Sequence, residues 1–240
     1  MDRNTLDALL AARKAKRPVA LVSDIASGAQ AVVSADRVEG TLVLDATAVA
    51  AARERLADDR SGRIEDANGR RLFVQVNNPP KRLIVVGAVH IAQPLVEMAR
   101  TAGYAVAIVD PRGAFATRER FPGVTLSEDW PDDAVTALGL DTRTAVVTLT
   151  HDPKLDDPAL ATALRSNCFY IGALGSKRTH AARLERLRRQ GFSDAELARI
   201  HGPVGLDLGA TSPAEIAVSI LAQIIQVLHR ASEPAQRDAA

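Results

Sequence analysis

Between residues 82 and 190 apolar runs alternate with segments of helical character. The runs are RLIVVGA (82–88), YAVAIVD (104–110), VTLSE (124–128), TAVVTLTH (144–151) and CFYIGAL (168–174). Helical segments are expected over 91–102, 132–138, 157–166 and 177–190. Continuous apolar runs mark strands covered on both faces, the condition of parallel strands. Parallel neighbours need long crossovers, and helices supply them. The alternation therefore specifies an α/β fold, a Rossmann-like doubly wound parallel sheet with right-handed crossovers. Such sheets bind ligands outside the carboxyl ends of their strands.

The preceding segment has a different grain. LDALLAARKA (6–15) is a short amphipathic helix and ATAVAAARERLAD (46–58) a second helix by its Ala, Leu and Arg content. PVALVSDI (18–25), AQAVVSA (29–35), GTLVLD (40–45) and RLFVQV (71–76) are expected strands, the last alternating at period two. NNPPK (77–81) interrupts regular structure. The expected organisation is a small α+β N-terminal domain, 1–78, and a Rossmann-like domain, 79–240.

Composition removes several function classes. The net charge of +1 creates no field that would select nucleic acid or an anionic membrane. Aromatic residues make up 3% of the chain, too few for a stacking platform under single-stranded nucleic acid. The single cysteine, Cys168, forms no intramolecular disulfide or cysteine-rich metal site. It is expected to be a buried structural residue at the strand end away from the ligand side. The first residues are too charged for a signal peptide, and AEIAVSILAQIIQVL is too short to span a bilayer. The expected location is the cytoplasm.

The strand–Gly–helix unit RLIVVGAVHIA is half of a dinucleotide motif. Gly87 supplies the tight turn. Val89 stands where a second glycine would let backbone approach a pyrophosphate, and Ala92 stands at the third glycine. Asp110 lies 23 residues after Gly87, near the place of a ribose-binding acid. A helix N-terminus still attracts one phosphate. The carboxyl end of this strand is expected to be an open pocket with His90 at its lip.

Three later loops add polar groups at strand ends. DPRGAFATRERFP (110–122) brings Asp110, Arg112, Arg118 and Arg120, and arginine forks suit anions. THDPKLDDPAL (150–160) brings His151, Asp152 and Asp156; metal by residue type or a helix N-cap at Asp156 or Asp157 are both open, and no metal site is expected. In YIGALGSKRTHAARLERLRRQG (170–191), Gly172 and Gly175 flank a strand end and Ser176 can cap the next helix. Arg178, Arg183, Arg186 and Arg189 share one helix face, read as an exposed amphipathic surface or a basic face for a phosphate or an acidic partner. Two capping boxes, SDAE (193–196) and SPAE (212–215), start later helices. On the last helix, 213–229, Glu215 belongs to a polar stripe facing solvent, or else a site or an interface between copies.

Taken together and in order, LIVVGAVH, VDPRGAFATRERFP, LTHDPKLDDPAL, YIGALGSKRTHAARLERL and GPVGLDLGATSPAEIAVSILAQII resemble the C-terminal Rossmann-like domain of the XdhC/CoxI family of xanthine dehydrogenase accessory proteins. The resemblance covers about residues 82–228. It implies a chaperone that binds the molybdenum cofactor (molybdopterin), supports its sulfuration with a cysteine desulfurase, and helps insert it into an apo molybdenum hydroxylase of the xanthine or carbon monoxide dehydrogenase type. A homodimer through the apolar last helix is a further expectation. The expected cofactor contacts are Gly87, His90, Asp110, Arg112, His151, Asp152, Gly172, Gly175, Ser176 and Arg178. Ser176, Arg178 and the N–H groups after Gly87 serve the phosphate; Asp110, His151 and Asp152 serve the pterin edges. No nucleophile–base pair stands out, so a maturation factor is expected rather than an enzyme. The alternative is an NAD(P)-dependent oxidoreductase on the same scaffold. A third possibility is an interaction module that docks an acidic partner on the arginine helix.

Overall fold

The computed structural model describes residues 2–230 and divides into two compact units, Met1–Pro79 and Pro80 onward. The first contains α1 (Arg3–Lys14), β1 (Val19–Asp24), β2 (Gln30–Val33), β3 (Val38–Gly40), α2 (Ala46–Ala57), β4 (Gly62–Glu65) and β5 (Arg71–Asn77). Its strands form one antiparallel sheet in the order β3-β2-β1-β5-β4. Successive side chains of a strand point to opposite faces. Ala20 and Val22 accordingly pack under α2, whereas Val19 and Leu21 pack under α1.

GTLVLD does not form the expected strand. The strand stops at Gly40, where a Cβ would lie 2.4 Å from the Gln30 carbonyl oxygen. The N–H groups of Thr41 and Leu42 both donate to that same oxygen, which turns the chain. Leu42 then enters the core beneath α2 and Asp45 caps that helix by accepting from the Ala48 N–H at 2.7 Å. The short strand β4 escapes pattern reading because Ile64 is its one buried side chain.

The second unit contains β6 (Arg82–Val86), α3 (Ala92–Thr101), β7 (Ala105–Val109), β8 (Thr125–Ser127), α4 (Pro131–Leu138), β9 (Thr144–Thr148), α5 (Pro153–Leu164), β10 (Tyr170–Ala173), α6 (Lys177–Arg189), α7 (Asp194–Leu197), β11 (Ile200–His201) and α8 (Pro213–Arg230). All six strands are parallel, in the order β11-β10-β9-β6-β7-β8. Counted from β6, this is the 3-2-1-4-5-6 order of the dinucleotide-binding fold. The order reverses between β6 and β9, so the ligand crevice belongs at their carboxyl ends.

The two faces of this sheet bury different helices. Leu83, Val85, Ile108 and Val147 join Leu95 of α3 and Ile220 and Ile224 of α8 in one core. Ile84, Val86, Val109 and Val146 join Val135 of α4, Leu160 of α5 and Leu187 of α6 in the other. Helix α5 begins earlier than the sequence pattern indicated. Asp152, rather than Asp156 or Asp157, is its N-cap, and Pro153 opens it, a position where a missing N–H has no consequence. The shift carries Asp156 into the first turn of the helix and Asp157 just beyond it, both buried. Among the described residues no helix is long and apolar enough to cross a membrane.

Both capping boxes form. Ser193 and Glu196 exchange hydrogen bonds at the start of α7. At α8, Glu215 accepts from the N–H groups of Thr211 and Ser212 while its own N–H donates to Ser212 Oγ. Its carboxylate is thus spent on its own helix end. Those backbone N–H bonds hold Glu215 well below the usual carboxyl range, at about 2. A carboxyl lowered on folding adds stability above its unfolded value, and that stability is lost as pH falls through the folded value. Glu215→Gln should therefore lower the thermal unfolding midpoint at pH 7, and the gap from the parent should close as pH falls from about 4.5 toward 2. Unfolding followed by circular dichroism across that range checks it; a gap independent of pH would contradict the cap.

Candidate functional site

At the reversal point the ends of β6 and β9 touch. Gly87 follows β6 with φ +108°, and a Cβ there would come within 2.7 Å of Thr150 Cγ2. Thr150 Oγ1 donates to Asp156 Oδ1 at 2.7 Å. Asp156 forms an ion pair with Arg183 of α6 at 3.5 Å, and both side chains are at most 2% exposed. Arg183 Nη2 also donates to the Leu174 carbonyl at 2.8 Å. Beside that pair Asp157, the next residue of α5, receives both arms of the fork of Arg186, one turn along α6, at 2.5 and 3.0 Å. A relay of polar contacts thus leads from the strand ends into the space between α5 and α6.

That space is a cleft of about 260 Å³ lined by His151, Pro153, Asp156, Arg178, Thr179, Ala182, Arg183 and Arg186. Whole-ligand pockets run to roughly 300–1,000 Å³, so the cleft matches one ring system or head group of a larger ligand. Its deepest polar groups are incompletely satisfied. Asp156 Oδ2 and Arg183 Nε and Nη1 have no hydrogen-bond partner among the described residues, and neither does Thr148 Oγ1 at the end of β9. Buried polar atoms are nearly always paired, so such a cluster requires a cause. Burial pushes the Asp156 carboxyl above the usual range, against the opposing pull of Thr150 and Arg183. At the rim, His151 is exposed and holds φ +62°, a left-handed conformation uncommon outside glycine.

The structure distributes the residues expected from sequence among different tasks. His151 and Arg178 line the cleft. Asp152 caps α5, and Ser176 caps α6 by accepting from the Thr179 N–H at 3.1 Å. Gly175, at φ +141°, lies against the Thr179 side chain. His90 is exposed just before α3 and is not a lining residue of the cleft, which lies beyond β9 and β10 rather than beyond β6. Gly172 sits inside β10, where a Cβ would meet Val204 at 2.6 Å and the Tyr170 ring at 2.8 Å.

Asp110 is fully buried, and its four acceptor positions are filled. Oδ1 accepts from the N–H and Nε of Arg112; Oδ2 accepts from Arg112 Nη2 and from the Ala88 N–H at 2.8 Å. Burial alone would raise this carboxyl, but the Arg112 fork and the backbone N–H groups outweigh it and hold it low. Asp110 therefore fastens the β7 loop to the β6 turn. Arg112 in turn lies within electrostatic reach of Asp152 and Asp156. Arg120, from the same loop, donates to the Ala88 and Phe115 carbonyls.

Two cleft groups were misplaced by pattern alone. Arg183 shares the buried stripe of α6 with Leu187, one helical turn on, and is not part of an exposed arginine face. Asp156 is neither a cap nor in a metal-binding cluster among the described residues. The signal available in the sequence was the i, i+4 spacing of Arg183 and Leu187. Cys168 lies before the amino end of β10, away from the cleft, and burial pushes its thiol up.

Residues 83–224 match the family model described as the XdhC Rossmann domain. The chain is 33% identical over 160 residues to a protein of Bacillus subtilis (strain 168) named as a probable xanthine dehydrogenase component, covering 66% of this chain and 46% of that one. It is 34% identical over 153 residues to the molybdenum cofactor insertion chaperone PaoD of Escherichia coli (strain K12), covering 63% and 42%. A solved structure described as a xanthine dehydrogenase from Bacillus halodurans superposes with a TM-score of 0.73 at 25% identity, covering 97% of this chain and 68% of that one. The chain spans less than half the length of the curated relatives it matches.

The packing around Gly172 generates a direct check. Gly172→Ala should destabilise the second unit by about 1–3 kcal/mol, the usual cost of overpacking a filled core. Urea denaturation would show it as a lower midpoint with an unchanged slope; an unchanged midpoint would mean that Val204 and Tyr170 give way freely.

Proposed function

This chain belongs to the XdhC family, and from that premise we propose that it binds the molybdenum cofactor and assists its insertion into a xanthine-dehydrogenase-type molybdenum hydroxylase. The observation that carries the proposal is the cleft between α5 and α6, whose buried donors and acceptor lack partners. A molybdopterin offers a polar ring system with one flat pyrimidine edge and one phosphate. The cleft offers polar depth for the ring and, at its wall, the exposed Arg178 for the phosphate. In the client enzyme the cofactor supplies the redox-active molybdenum; for this chain it is cargo.

The chain's own residues hold and release that cargo. His151 and Arg178 are the expected contacts that line the cleft. Gly87 builds the turn beside it, and Asp152, Gly175 and Ser176 shape the starts of the two helices around it. Asp110 and Arg112 act one step removed, by fixing the neighbouring loop. His90 and Gly172 fall outside the lining. The proposal extends, through the family resemblance, to sulfuration of the bound cofactor with a cysteine desulfurase and to a homodimer.

The NAD(P) alternative keeps the strand order in its favour but meets a filled Asp110. A ribose hydroxyl needs free acceptor capacity on that acid, and Arg112 and Ala88 already occupy it. The test is to purify the full chain from a cofactor-producing host and assay oxidised pterin fluorescence and molybdenum. Both are expected with the protein, and nicotinamide fluorescence should not change on titration with the chain. Protein free of pterin and molybdenum that also ignores added cofactor would overturn the proposal, and a saturable NAD(P)H signal would favour the oxidoreductase.

A further inference from the structure

We infer that Asp156 and Arg183 are a matched pair that reads the amino-oxo pyrimidine edge of a pterin, the edge that guanine also carries. The inference rests on the cofactor-binding proposal and names the atoms of this chain that would select the ring. Its basis is the kind of group left unpaired in the cleft. Arg183 Nε and Nη1 are donors and need acceptors; Asp156 Oδ2 is an acceptor and needs a donor. Both side chains line the cleft and both are at most 2% exposed.

A phosphate answers only half of this requirement. It brings acceptors to Arg183 but sets negative charge against Asp156, whose carboxylate lies 3.5 Å from the same guanidinium. A purely cationic group fails in the opposite way. A lactam carbonyl next to a ring N–H and an exocyclic amine brings both kinds of partner in one plane. The carbonyl faces Arg183, and the N–H and amine face Asp156. The guanidinium is planar and rigid, which suits a flat edge. Thr150 holds Asp156 Oδ1 at 2.7 Å, while Oδ2 lies 3.5 Å from Arg183 Nη2 and has no hydrogen-bond partner. The Leu174 carbonyl holds Arg183 Nη2 at 2.8 Å and leaves Nε and Nη1. Each side chain is thus anchored by a hydrogen bond at one atom, while Asp156 Oδ2 keeps only its ion pair and Arg183 Nε and Nη1 have no hydrogen-bond partner.

Arg186 is not part of the reading edge, because its fork is committed to Asp157. Arg178 is exposed, carries no ion pair among the described residues, and serves the phosphate end. The division puts the ring inward and the anion outward.

The test titrates the full chain with fluorescent pterin, then with lumazine, in which an oxygen replaces the amino group. Guanosine, adenosine and inorganic phosphate are the competing probes. Pterin is expected to bind, lumazine at least about tenfold more weakly, and adenosine and phosphate not to compete, because hydrogen bonds to a charged partner carry selectivity of that size. Asp156→Asn should also weaken pterin at least about tenfold; the lumazine comparison needs no variant and holds even if that protein unfolds. Equal binding of pterin and lumazine, displacement of pterin by phosphate, or failure of both pterin and guanosine to bind would overturn the inference. Preference for guanosine over pterin would support the edge but sink the cofactor proposal. Cofactor that co-purifies with a chain indifferent to pterin would overturn the edge and leave that proposal standing.

Discussion

A guanidinium removed from water needs a partner for each of its donors, and Arg183 is only partly answered. The Leu174 carbonyl and Asp156 hold one arm, and the rest of the site is arranged around that incomplete pairing. Removing one member of a buried charge pair commonly costs about 3–5 kcal/mol, so neither Arg183 nor Asp156 is free to drift. Thr150 fixes Asp156, and Thr150 is itself lodged against Gly87. The backbone at the sheet's reversal point and the polar floor of the cleft are therefore one connected assembly. A fully satisfied pair would make a good strut and a poor receptor. The atoms left without hydrogen-bond partners are what the proposed receptor role draws on.

The architecture was largely legible because parallel strands must be apolar along their whole length, and RLIVVGA, TAVVTLTH and CFYIGAL are. What pattern could not resolve were decisions made by single close contacts. Gly40 ends a strand because Gln30 lies 2.4 Å from where its Cβ would be, and no periodicity encodes that distance. Asp152 captures the start of α5 ahead of two other aspartates that are equally good caps in isolation. At the site, His151 and Arg178 were visible as polar residues after strands, and both line the cleft. Pattern alone places Arg183 among four surface arginines, since a charged side chain is exposed unless it has a partner. Its partner, Asp156, lies 27 positions earlier and on another helix, a pairing that only the packing of α5 on α6 creates.

Family and scaffold are separable here. The strand order is that of dinucleotide-binding proteins, while the turn after β6 carries Val89 in place of a second glycine. The relatives' names point to molybdenum enzymes and to cofactor insertion, and this chain spans only part of their length. The fold supplies strand ends and helix starts; the side chains on them decide what is held there.

The clasp between Asp110 and Arg112 has a consequence for the way this scaffold can change its use. The acid stands where a nucleotide sugar would seek it, yet it is already locked into a four-bond knot with Arg112 and Ala88. A dinucleotide at this turn would need both a freed Asp110 and the space that Val89 fills. Cutting the knot alone would strand a carboxylate with no exposure to water. Asp110 thus acts as a rivet between the β6 turn and the β7 loop, its acceptor capacity spent within the chain.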